Sequence, residues 1–146
     1  MGISERFFDP DAEQRIVAAI AEAERKTSGE IRVHLERSGQ SKDPLKRAWK
    51  VFQELGMHKT AQRNGVLFYL ATEDHLFSIL GDEGIHQAVP EHFWESVRDK
   101  VQQHFREGHF EEGLIAGIQL AGKKLAEYFP IQADDQNELS NQISES

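Results

Sequence analysis

Seven polar side chains carry most of the chemistry this sequence offers: Glu30, His58, Lys59, Arg63, Asn64, Asp82 and Glu83. Carboxylates and an amide oxygen suit a hard cation, since calcium takes about six to eight oxygen ligands and magnesium about six. Glu30, Asn64, Asp82 and Glu83, with backbone carbonyls of the Gly81–Gly84 turn and water, would supply such a set. Calcium or magnesium is therefore the cofactor to consider, and no motif for an organic cofactor is present. The bland alternative is an ion pair between Glu30 and Arg63 or Lys59, with Asp82-Glu83 as a solvated turn. The spacing is not a ligand code, so the ion pair is the favoured expectation. Phosphoryl hydrolysis would use the same residues differently. Arg63 and Lys59 would face phosphate, His58 would serve as acid, and Asp82 or Glu30 would hold a metal.

Other chemistries are excluded or weakened. The chain has no cysteine, which removes disulfides, thiolate metal sites and cysteine nucleophiles. Its seven histidines form no His-Glu-X-X-His pattern, so zinc is not expected and the histidines read as surface residues. Net charge is −8, from 25 acids and 17 bases. Four of those acids (Asp134, Asp135, Glu138 and Glu145) lie in 131–146, a segment without a base whose large apolar residues are Ile131, Leu139 and Ile143. Such a stretch buries too little surface to offset its chain entropy, and a disordered acidic tail is expected there. The rest mixes both signs, which argues against a nucleic-acid footprint. No apolar run suits a membrane span or a signal peptide, so the expectation is a cytoplasmic monomer with an unidentified protein partner.

Punctuation and periodicity supply the elements that must position these residues. Asp9-Pro10 opens a helix with Ile16, Ala19, Ile20 and Ala23 on one face, and Gly29 ends it. Ile31, Val33 and Leu35 alternate with Arg32, His34 and Glu36, predicting a strand with one buried and one wetter face. Asp43-Pro44 opens a second helix carrying Leu45, Ala48, Trp49, Phe52 and Leu55. Val66–Leu70 is an unbroken apolar run, hence a central strand, and Glu73-Asp74 turns into an antiparallel neighbour at Leu76–Leu80. Pro90 starts a helix with Phe93, Trp94, Val97, Val101 and Phe105 inward, and a last helix carries Leu114, Ile118, Ala121 and Leu125. The aromatic residues Trp49, Phe93, Trp94 and Phe105 are assigned to the core. Gly113, Gly117 and Gly122 in the last helix imply close backbone approach to the sheet. No repeat or linker precedes residue 130, so the expected organisation is one domain over 1–130 followed by the 131–146 tail.

The order helix, strand, helix, strand, strand, helix, helix contains a βαβ unit with parallel strands. The fold class is α/β: a small mixed sheet of three to four strands with helices on both faces. Parallel strands begin at the same sheet edge, and the antiparallel third strand ends there. One rim should therefore collect Glu30, His58, Lys59, Arg63, Asn64, Asp82 and Glu83.

Four segments carry a family resemblance. Thr27-Ser28-Gly29-Glu30-Ile31 resembles a Thr-Gly-X-Ile lead-in to a strand, and Arg63-Asn64-Gly65-Val66-Leu67 resembles Asp-Asn-Gly-Val-Leu. Gly81-Asp82-Glu83-Gly84-Ile85 stands where Gly-Tyr-Gly-Leu is usual. Phe105-Arg106-Glu107-Gly108-His109-Phe110, followed by Gly113 and Leu114, is similar to Phe-(Arg/Lys)-X-Gly-Asp-Tyr-X-X-Gly-Leu. These are motifs of the TPM domain family, in order over roughly residues 8–130. The resemblance implies an α/β/α sandwich and several functions: thylakoid repair factors, acid phosphatases, calcium-binding domains and a receptor's auxiliary subunit. Arg63 departs from the pattern, placing a cation where the family has a carboxylate. The reading that follows is a stand-alone accessory or binding domain with weak calcium affinity at the rim. The alternatives are a metal-assisted acid phosphatase using the same rim and a protein-interaction module without metal.

Overall fold

A computed structural model of the protein describes residues 7–38, 43–131 and 142–145. Helix α1 (Pro10–Glu24) starts as its punctuation requires, with Asp9 Oδ1 accepting the Ala12 amide at 2.7 Å. Strand β1 (Glu30–Glu36) leads to α2 (Pro44–Glu54), capped by Asp43 Oδ1 on the amides of Leu45 and Lys46. A 3-10 turn at Met57–Lys59 precedes β2 (Gly65–Ala71), and β3 (Leu76–Gly81) follows. Helices α3 (Glu83–Ala88), α4 (Glu95–Arg106) and α5 (Phe110–Ala126) complete the body, and β4 is Ser144–Glu145.

The sheet order is β3-β2-β1-β4. β1 and β2 are parallel with Glu30 opposite Gly65, while β2 and β3 are antiparallel with Val66 opposite Gly81. The starts of two strands and the end of a third thus share one edge, as the βαβ order requires. One sheet face presents Ile31, Val33, Leu35, Val66, Phe68 and Leu70 to α1, α4 and α5. The opposite face presents Leu67, Tyr69, Ala71 and Leu80 to Ala48, Val51 and Phe52 of α2. Helices therefore cover both faces. No helix among the described residues is long and apolar enough to cross a membrane.

Several sequence expectations are corrected by packing. The polar face of β1 is not wet: His34 and Glu36 are buried, because β2 and β4 flank the strand and α2 reaches over it. Trp49 is 41% exposed, because the sheet-facing positions of α2 are filled by Ala48, Val51 and Phe52. Residues 91–94 form tight turns rather than helix, so α4 begins at Glu95. The six-residue α3 replaces the expected glycine turn, because Asp82 caps it. At Gly117 the close approach is chiefly to a helix, since a Cβ there would meet Val101 Cγ2 of α4 at 2.4 Å. Ser144 and Glu145 pair with His34 and Leu35, and Ile143 packs on the core. Residues 132–141 of that expected tail lie outside the described residues.

Candidate functional site

Three backbone segments cross at the edge where β1 and β2 begin and β3 ends. The Glu30 amide donates to the Asn64 carbonyl at 3.2 Å, and the Asp82 amide donates to the Gly65 carbonyl at 2.9 Å. The Gly84 amide donates to the Arg63 carbonyl at 2.8 Å. That contact depends on glycine, because a Cβ at residue 84 would lie 2.2 Å from the Gln62 oxygen and 2.6 Å from that of Arg63. It also depends on Arg63 adopting a left-handed backbone (φ 51°), a region that costs a side-chain-bearing residue roughly 1 kcal/mol. Asn64 Nδ2 reaches the Ser28 carbonyl at 3.2 Å, tying the lead-in of β1 to the lead-in of β2.

The side chains placed on this crossing are partly those the sequence nominates. Asp82 is 1% exposed, and it is a cap rather than a solvated turn residue: Oδ1 accepts the Glu83 amide at 2.7 Å. Arg63 forks over both Asp82 oxygens, with Nε to Oδ2 at 2.7 Å and Nη2 to Oδ1 at 2.8 Å. Its Nη1 lies 3.2 Å from exposed Glu83. The ion pair of Arg63 is thus with Asp82 and Glu83, where the sequence suggested Glu30. Such bidentate charge-assisted pairs are the strong ones. Asp82 in turn holds the Arg63 guanidinium in its charged form.

Glu30 and Asn64 are buried beside this pair. His58 and Lys59 sit on the 3-10 turn upstream; Lys59 is exposed, and His58 Nδ1 is buried without a hydrogen-bond partner. Among the described residues no group of three or more His, Asp or Glu is arranged to hold a metal ion. The rim donors do not fit a tight cation site, because a guanidinium already occupies both oxygens of the most buried carboxylate.

One rim carboxylate escapes the sequence reading. Glu24, the last residue of α1, accepts the Ile31 amide at 2.8 Å. Burial, and secondarily the charge of Glu30, push its carboxyl up to about 7, against the opposing hydrogen bond from Ile31. A signal did exist: an acid in the last turn of a helix faces the negative end of the dipole and needs another reason to be there.

A second polar cluster lies at the far end of β1. Arg47 of α2 forks onto Glu36, with Nε to Oε2 at 2.8 Å and Nη2 to Oε1 at 2.6 Å. The Tyr69 hydroxyl donates to the same carboxylate, and burial followed by that bond pushes the phenol above its usual range. The His34 ring stacks on Tyr69, its Nδ1 lies 2.8 Å from Ser144 Oγ, and burial lowers its pKa. Sequence alternation put His34 and Glu36 on a wet face and so missed this cluster.

A family model described as the TPM domain matches residues 4–124. The NMR structure of the BA42 protein from the psychrophilic bacterium Bizionia argentinensis is 46% identical, with all of both chains covered and a TM-score of 0.92. The N-terminal domain of the cg2496 protein from Corynebacterium glutamicum is 14% identical (TM-score 0.64), over 96% of this chain and 80% of that one. The N-terminal domain of a protein from P. gingivalis is 20% identical (TM-score 0.66), over 86% and 82%. The last two share the fold. No curated protein matches the chain.

Proposed function

Because this chain belongs to the TPM domain family, we propose that it works as a non-enzymatic accessory or binding domain whose rim carries its own counter-ion, Arg63. The observation that carries this reading is the fork of Arg63 over both oxygens of Asp82. A buried carboxylate needs a positive partner, and here the chain supplies it. A divalent ion at the rim would compete with that guanidinium for Asp82. A site drawn from Glu30, Asn64, Glu83 and backbone carbonyls of 81–84 would lack the Asp82 oxygens, so calcium or magnesium binding is weak, about millimolar at best. The phosphatase alternative fares worse. It needs cations offered to the transferring group, whereas Arg63 is engaged by Asp82 and Glu83.

A calcium titration followed by amide NMR, with magnesium as control, tests this in the wild type and in Arg63→Ala. Expected are millimolar shifts at Glu30, Asn64 and 81–84 in the wild type, and roughly tenfold tighter binding once the guanidinium is gone. Micromolar calcium binding with Arg63 in place would sink the counter-ion reading. Turnover of a phosphomonoester, lost in folded Asp82→Asn, would sink the non-enzymatic one.

A further inference from the structure

The solvent face of α2 combines exposed apolar side chains with exposed cations. Leu45 is 48% exposed and Trp49 is 41% exposed, and their i, i+4 spacing places them side by side on one helix face. A single exposed apolar residue needs no explanation. This pair, however, is flanked by exposed Lys46 and Lys50, and the first turn of the helix carries no acid. The other basic residue of α2, Arg47, turns inward to Glu36, and Glu54 at the last position is the helix's one acid. The chain as a whole carries −8. Two cations therefore frame a tryptophan and a leucine on a molecule that is otherwise negative.

Trp49 is also held rather than loose. Its ring meets buried Phe52 edge to face, with centroids 5.4 Å apart. A rigid, half-exposed indole is the side chain that most often dominates a protein interface, because it offers a large contact area with little entropy to lose. We propose that the Leu45–Trp49 face of α2 docks an acidic amphipathic segment of a partner protein. Its apolar side chains would cover Trp49 and Leu45, and its carboxylates would meet Lys46 and Lys50. Charge selects a protein segment over an anionic lipid surface, since a bilayer would confront the whole negative molecule rather than one helix.

The test uses the full chain in a Trp94→Phe background, so that Trp49 is the sole indole. The probe is a synthetic amphipathic helical peptide with leucines on one face and glutamates elsewhere; a lysine-for-glutamate version and phosphatidylcholine/phosphatidylglycerol vesicles serve as comparisons. Saturable blue-shifted Trp49 emission with the acidic peptide, and amide shifts along α2, are expected. Binding should weaken at least tenfold in Trp49→Ala and in Lys46→Glu/Lys50→Glu. It should be unchanged by calcium or by Arg63→Ala, which separates this surface from the rim. No saturable response at millimolar peptide, equal binding of the lysine peptide, or undiminished binding by the folded variants would overturn the proposal. Vesicle binding with no peptide binding would overturn it as well, assigning the face to lipid.

Discussion

The two ends of β1 each hold an arginine forked onto a buried carboxylate, yet the two pairs rest on different supports. At the rim, the Arg63 side chain is 42% exposed over a buried Asp82, and three crossing backbone segments frame them. At the far end, the Arg47 side chain is 21% exposed over a 5% exposed Glu36, and Tyr69 and His34 crowd the pair from within the sheet. Asp82 also keeps a backbone amide as a partner if its arginine is lost. Glu36 is held by two side chains, the Arg47 guanidinium and the Tyr69 hydroxyl. The lesson is that an ion pair's worth depends on what else solvates the buried partner, not on the fork geometry the two share.

If backbone crossing supports the rim, its most sensitive position is a glycine rather than a charge. Gly84→Ala would force a Cβ into two carbonyl oxygens, and we expect a loss of more than about 4 kcal/mol in urea unfolding. A loss near 1 kcal/mol would show that the crossing relaxes easily, and would erase the contrast between the two ends.

The contrast sharpens with the arginines. Arg47→Ala leaves Glu36 charged and buried, and should cost about 3 kcal/mol. Arg63→Ala should cost less, because water reaches that side and the Glu83 amide still serves Asp82. Equal losses in denaturant unfolding of the two variants would defeat the argument.

The smallest effect concerns Glu24 and its dependence on pH. Its folded pKa, about 7, lies above the ordinary carboxylate value of 4.5, so the folded chain binds more protons between those limits. Stability from this group is therefore present at low pH and lost as pH rises through about 7. Glu24→Gln should flatten that window, removing on the order of 2 kcal/mol of change between pH 5 and pH 8. A variant with the same pH slope as the wild type would mean that the carboxyl is not desolvated at the rim.

Much of the architecture was legible because its signals are local. Asp9-Pro10 and Asp43-Pro44 each announce a cap and a first turn, and both caps form as written. The apolar run Val66–Leu70 marks a strand buried on both faces, and the parallel register of β1 with β2 follows from the helix between them. That topology brings the starts of β1 and β2 and the end of β3, and with them Glu30, Asn64, Asp82 and Arg63, to one edge. It could not say that Arg63 would choose Asp82 over Glu30, because the choice rests on a left-handed residue and a glycine 21 positions apart in the chain. The burial of His34 and Glu36 was equally hidden. Alternation reports which residues face a helix-covered sheet face only when the other face is open, and here α2 and a two-residue β4 close it.

The sequence by itself determined the class of fold, the starts of the first two helices, the central strand, the parallel βαβ unit and the family. Each of these depends on residue type and short spacing, which chain connectivity carries directly. Tertiary structure alone decided which carboxylates are buried, which cation neutralises each, that Trp49 faces solvent and that Glu24 joins the rim. Those properties depend on distances between residues remote in the chain and on how much water the packed layers leave, and neither quantity is encoded in local spacing.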